Sequence, residues 1–201
     1  MFIQVIRGHV IDSDEVKAAL DRWVTERGSR TPGWLGTTAG ITDSGTLVAA
    51  VRFDSEESAR RNSESPEQHQ WWMETSKLFS GDVTFRDSTE CDLILRGGSD
   101  EAGFVQVMTG RITDKERLRE MGRRMEDALS SFRPDVLGGT VAFHADGTAT
   151  QTMYFTSETA AREGERKAPP PEVQAMLDED AELFQDVTFD DLREPWLYSR
   201  A

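Results

Sequence analysis

The sequence predicts an α+β chain of two tandem β-α-β-β-α-β units, and three observations carry that reading. The first is self-similarity at a separation of about 100 residues. The second is a hydrophobic period that switches within each copy between alternation and helical spacing. The third is a polar, Gly-rich join at Gly97-Gly98-Ser99-Asp100-Glu101-Ala102-Gly103, the composition of a flexible connection. Phe2-Ile3-Gln4-Val5-Ile6-Arg7-Gly8 recurs as Phe104-Val105-Gln106-Val107-Met108-Thr109-Gly110. Pro32, Leu35 and Gly36 recur as Pro134, Leu137 and Gly138, and Gly45-Thr46 as Gly147-Thr148. Phe53-Asp54-Ser55-Glu56 returns as Phe155-Thr156-Ser157-Glu158, Ala59-Arg60 as Ala161-Arg162, and Asp82-Val83-Thr84-Phe85 as Asp186-Val187-Thr188-Phe189. Order and spacing hold apart from an insertion around Lys167-Ala168-Pro169 and one residue lost later. A domain-sized unit that occurs twice is a duplication, not a solenoid. The units are expected at residues 1–98 and 99–201.

Within one copy, residues 2–11 are rich in apolar and β-branched side chains and read as a strand. Asp12 or Ser13 can cap the helix that follows, and Asp14 and Glu15 suit its positive end. Val16, Ala19, Leu20 and Trp23 give that helix one apolar face. Thr31-Pro32-Gly33 ends it. Residues 34–41 and 46–53 read as two strands joined by the turn Thr42-Asp43-Ser44-Gly45. Ser55-Glu56-Glu57 opens a short helix, and Ser65-Pro66-Glu67 opens another that is expected to run to about Phe79. A fourth strand begins at Val83. This is the ferredoxin-like order. Short apolar runs follow each fourth strand, Leu93-Ile94-Leu95 and Trp196-Leu197-Tyr198, as extra strands or as arms that cross to the other half. A sheet with helices on one face leaves its other face to be buried. The expectation is therefore that the two antiparallel sheets pack into a barrel inside one chain.

Composition bounds the function. The chain has 201 residues, 23 basic and 37 acidic, for a formal charge of −14. Acid exceeds base in both copies, so nucleic acid and anionic membrane surfaces are not expected partners. A single cysteine, Cys91, excludes an internal disulfide and a cysteine-based zinc cluster. No stretch approaches the ~18–20 apolar residues of a membrane span, and no secretory signal opens the chain, so a cytoplasmic location is expected. No phosphate loop, dinucleotide fingerprint or metal-ligand spacing occurs, and no cofactor or metal is expected.

The run Pro32-Gly33-Trp34-Leu35-Gly36, then Val51-Arg52-Phe53-Asp54-Ser55-Glu56-Glu57-Ser58-Ala59, then Ser65-Pro66-Glu67, resembles the antibiotic biosynthesis monooxygenase family of dimeric α+β barrels. The resemblance covers nearly the whole chain, once per half. It implies two ferredoxin-like units forming an intramolecular dimeric α+β barrel, a covalent version of a dimer that separate chains usually make. It also implies cofactor-free oxygenation as one activity of the superfamily. The haem-degrading branch uses an Asn, a Trp and a His whose positions here fall at Arg7, Asn62 and near Trp71, and at Thr109, Gly164 and near Met176. His69 lies two residues from the His position, and the three roles are missing in both halves. Fold alone does not fix the reaction.

Candidate site residues follow. Arg7 and His9 alternate on the first strand and share a face; the resemblance places that strand beside the ligand cavity, where Arg7 could balance a phenolate and His9 accept its proton. His69 is a second candidate proton acceptor, one turn before Trp72. Trp34, Trp71 and Trp72 are candidate contacts for an aromatic ligand, and four of the five tryptophans lie in the first half. The bland alternatives are solvated histidines, an ion-paired Arg7, and Trp71 and Trp72 as packing, since Met176 and Leu177 hold the matching positions. Two functions stay open: a monooxygenase acting on a small aromatic or polycyclic substrate without a metal, and a non-catalytic small-molecule-binding or scaffold protein. With both copies on one chain, the protein is expected to be a monomer with an internal pseudo-dimer. Light scattering should return the mass of one chain, and an isolated half should self-associate.

Overall fold

The computed structural model describes residues 1–200. The first copy runs β1 (Phe2–Val10), α1 (Ser13–Glu26), β2 (Trp34–Ile41), β3 (Thr46–Phe53), α2 (Glu56–Ser63), α3 (Pro66–Thr75), β4 (Phe79–Ser88) and β5 (Glu90–Leu95). The second runs β6 (Phe104–Ile112), α4 (Lys115–Phe132), β7 (Val136–Phe143), β8 (Thr148–Phe155), α5 (Glu158–Glu165), α6 (Pro171–Leu183), β9 (Phe184–Leu192) and β10 (Trp196–Ser199).

The helices start where their capping chemistry stands. The Asp12 carboxylate accepts from the amides of Asp14 and Glu15 at 2.9 and 3.1 Å, satisfying donors that have no partner inside the helix. Val16, Ala19 and Trp23 then fall on one face of α1 and are buried. Asp114 caps α4 in the same way, accepting from the Arg117 amide at 3.0 Å. Ser55, Ser65 and Ser157 cap α2, α3 and α5.

One boundary departs from the sequence expectation. α3 stops at Thr75, a short 3-10 turn covers Ser76–Leu78, and β4 starts at Phe79 instead of Val83. The reason is a bulge. The register of β4 on β1 shifts between Arg7 and His9, where Gly81 takes φ +80°, a conformation glycine adopts without a Cβ penalty. β9 shifts against β6 at the matching place, with Asp186 at φ +54°.

Residues 1–91 with 194–200 form one compact unit, and residues 92–193 form the other. The first unit's sheet has the order β10-β2-β3-β1-β4, and the second has β5-β7-β8-β6-β9. The trailing strands trade places. β5 follows the first copy yet completes the second sheet, and β10 ends the second copy yet completes the first. β10 pairs antiparallel with β2, from Trp196 opposite Ala39 to Ser199 opposite Gly36. A Cβ at Gly36 would lie 2.5 Å from the Tyr198 carbonyl oxygen, and one at Gly138 would collide with the Gly97 carbonyl. The repeated glycine is thus explained by the close approach of an arm to each unit.

The expected barrel is not what forms. Both sheets have five strands and are open, with β10 and β4 at the edges of one and β5 and β9 at the edges of the other. Closure requires the end strands to pair at a common tilt and stagger, and the ladders stop short of that. β10 is four residues long. At the end of β5, Leu95 turns to φ +53° and its amide donates to the Glu126 carboxylate at 3.0 Å. β4 exposes Ser80, Asp82, Thr84 and Asp87, a polar edge that resists further pairing.

Tyr198 fastens the arm. Its hydroxyl donates to Asp21 of α1 at 2.6 Å, and Lys17 donates to the same carboxylate at 2.8 Å. The bonds from Lys17 and Tyr198 hold Asp21 below the usual carboxylate range, while burial and the same bond push the Tyr198 phenol up. Tyr198→Phe removes a hydrogen bond to an ionised acceptor and should cost about 1 kcal/mol in urea unfolding. Unchanged stability would mean that the arm is held by its backbone pairing and ring packing alone.

Candidate active site in the first unit

Between the helices and the sheet of the first unit lies a cavity of about 450 Å³, a size that suits a small molecule. The strands contribute Phe2, Gln4 and Ile6 from β1, Leu47, Ala49, Val51 and Phe53 from β3, and Phe79, Phe85 and Asp87 from β4. The helices contribute Val16, Leu20 and Trp23 from α1, Ala59, Arg60 and Asn62 from α2, and His69, Trp71 and Trp72 from α3. The walls are mainly apolar and aromatic, with a few polar groups.

The aromatic rings set the shape. Trp23 meets Trp34 edge-on, with centroids 5.4 Å apart at 68°, and meets Trp71 at 6.5 Å and 62°. Trp72 packs against Phe79 at 6.0 Å and Phe85 at 5.1 Å. Edge-to-face contacts of this kind are favourable and keep the rings from stacking flat. The indole N–H groups are occupied within the protein: Trp23 donates to Gln68 Oε1 at 2.7 Å, Trp34 to Thr37 Oγ1 at 3.1 Å, and Trp71 to the Ala19 carbonyl at 3.2 Å.

Of the residues singled out in the sequence, His69, Trp71 and Trp72 come together on the cavity wall. Trp34 does not reach it. It is 1 % exposed, behind Trp23 and against Gly28. Arg7 and His9 do not line it either. Phe2, Gln4 and Ile6 face the helices, so the period of two sends Ile3, Val5, Arg7 and His9 to the opposite face. His9 is exposed, with its ring against Gly45 in the β2–β3 turn.

Sequence reasoning missed two polar features. Gln4 Nε2 donates to Asp87 Oδ1 at 2.8 Å across β1 and β4. Asn62 Oδ1 is buried at the cavity wall and accepts no hydrogen bond within the protein. Such an acceptor costs free energy until a donor reaches it. The available signal was the mismatch between copies. Ala49, Val51 and Asn62 correspond to Gln151, Met153 and Gly164.

In the second unit the equivalent positions pack differently. Met153 packs among Phe104, Phe155 and Ala161. Arg133 lies against Gly164, donates to Asp135 at 3.0 and 2.7 Å and to the Ala161 carbonyl at 3.3 Å, and sits 5.7 Å over the Phe155 ring. Thr75, buried at the first cavity, is replaced by Asp180, whose carboxyl burial pushes up to about 6.

Among the described residues, no group of three or more His, Cys, Asp or Glu is arranged to hold a metal ion. No helix among them is long and apolar enough to cross a membrane.

No family model and no curated protein matches the chain. Solved structures do match its fold. A candidate monooxygenase from Fusobacterium nucleatum superposes with a TM-score of 0.75 at 8 % identity, covering 100 % of this chain and 94 % of that one. A candidate monooxygenase from Lactobacillus acidophilus gives 0.70 at 10 % identity, with 98 % of each chain covered. An anthrone oxidase-like protein gives 0.64 at 12 % identity, covering 98 % of this chain and 89 % of that one. At these identities the similarity is one of fold.

Asp180 supplies a pH test of the second unit's interior. Its folded-state pKa lies above its unfolded value, so its proton favours the folded state. Relative to a neutral side chain, the Asp180 contribution is intact below about pH 4 and lost as pH rises through about 6. Asp180→Asn should therefore match wild type near pH 4 and exceed it by about 3 kcal/mol near pH 7 in urea unfolding. A pH-independent difference would show that this carboxyl is not desolvated.

Proposed function

We propose that the first unit binds a small aromatic or polycyclic molecule in the cavity between α1, α2, α3 and the sheet. The observation that carries this reading is an open, aromatic-walled space of about 450 Å³ between the helices and the sheet. A flat ring fits between indole and phenyl walls, and Gln4, His69 and Asp87 on the same wall offer polar contacts to a hydroxyl on that ring. The packing of Met153 and Arg133 at the matching positions of the second unit supports one ligand per chain.

A second reading, cofactor-independent oxygenation of the bound molecule, is favoured by His69 on the cavity wall. An imidazole there could take a proton from an activated ring CH or phenol. For anthrone, proton removal gives an electron-rich anion that reacts with O2; one oxygen atom stays as the new ring carbonyl and the other leaves as water. The overall change, anthrone and O2 to anthraquinone and water, balances without a further reductant. Names attached to structures of the same fold support the choice of this probe.

Tryptophan fluorescence titration with anthrone under argon should show saturable quenching. Trp72→Ala should weaken binding about tenfold, the loss of a stacking wall worth about 1.4 kcal/mol. Arg7→Ala and His9→Ala should leave it unchanged. Absence of saturable binding would overturn the ligand reading. On admitting oxygen, anthraquinone formation lost in His69→Ala supports the oxygenase; bound anthrone oxidising no faster than in buffer leaves the binding protein.

A further inference from the structure

Positions 60 and 162 hold the same arginine in matching helices, and the two side chains take opposite seats. Arg162, on α5, reaches Asp191 on β9 and lies 5.2 Å over the Phe104 ring, while its guanidinium also meets Glu165 at 3.1 Å and Glu158 at 3.7 Å along its own helix. Asp191 also accepts from Gln106 Nε2 at 2.9 Å. The first unit repeats this set: Phe2, Gln4 and Asp87 stand where Phe104, Gln106 and Asp191 stand, and all three border the cavity together with Arg60. Arg60 nevertheless turns along α2 to Glu64 at 3.4 Å, and its side chain is 61 % exposed against 31 % for Arg162.

One difference lies a helical turn on. Residue 64 is a glutamate that draws Arg60 along the helix, whereas its counterpart is Arg166, so Arg162 has no acidic partner at i+4 and keeps Glu165 at i+3 as its outer contact. An exposed i,i+4 ion pair is a weak hold that salt screens further. The inward seat offers a carboxylate for a planar cation and an aromatic face beneath it.

We propose that Arg60 is the gate of the first unit's cavity: it swings from Glu64 to Asp87 and closes over a bound aromatic molecule, as Arg162 is closed in the second unit. The closure rests on the reading that the cavity takes such a molecule, but the inward seat itself does not. With a ligand present, the guanidinium would lie against the ligand ring, which makes Arg60 a residue that sets residence time.

Glu64→Gln removes the outward partner, and Glu64→Arg also reproduces the charge found at Arg166. A double-mutant cycle between Arg60→Gln and Asp87→Asn, read by urea unfolding, should show no coupling in the wild-type background and clear coupling in Glu64→Arg. In stopped-flow fluorescence with anthrone, Arg60→Gln should speed release several-fold. Glu64→Arg should slow both entry and release, with Glu64→Gln between it and wild type. Absence of coupling in Glu64→Arg, or release rates unchanged by all three variants, would overturn the gate. Should wild type bind no anthrone while coupling appears in Glu64→Arg, the ligand reading fails and the inward seat of Arg60 stands.

Discussion

The aromatic packing under α1 and α3 is the constraint on which the candidate site depends. Trp23 meets Trp34 and Trp71, Trp71 meets Trp72, and Trp72 meets Phe79 and Phe85, at centroid distances of 5.1–6.5 Å. These edge-to-face and tilted contacts hold the rings against one another on the wall that Ala49 and Val51 also line. Protein interiors are normally filled to near-crystalline density, and empty volume is costly. The open cavity of the first copy is lined by Ala49 and Val51, where the second copy carries the longer Gln151 and Met153.

The exchanged arms explain why the copies share one chain. Each unit lacks its fifth strand until the other copy supplies it, β10 for the first and β5 for the second. Gly36 and Gly138 leave room for those strands to approach, and Tyr198 pins β10 to α1 through Asp21. α1 also carries Trp23. The arm that completes the first sheet is thus bonded to the helix that supports the cavity wall.

Much of this architecture was legible in the sequence because the signals are local. Asp12, Ser55 and Ser65 mark helix starts by the hydrogen bonds they make within a few residues, and the repeat confirms each element twice. The destination of the arms was not legible, since Trp196-Leu197-Tyr198 is a short apolar run that says nothing about which edge it joins. The barrel expectation failed for a related reason: an exposed sheet face requires a cover, but a cover does not require the strand ladder to close. At the site, the indoles were visible as a cluster in the first half. Arg7 and His9 share one face of β1 by alternation, but β1 is apolar on both faces, with Ile3 and Val5 on one and Phe2 and Ile6 on the other. Periodicity therefore could not say which face looks toward the helices. Gln4, Asn62 and Asp87 are brought together by pairing between distant strands and by a helix, a relation that no local pattern encodes.

The most direct test of a single open site is native mass spectrometry of the whole chain with saturating anthrone, comparing wild type with Ala49→Gln/Val51→Met, which transfers the second unit's filling residues into the first. A single open site predicts one adduct per chain in wild type and none in the folded double variant. Two adducts per chain, or one adduct that survives the filling, would contradict it.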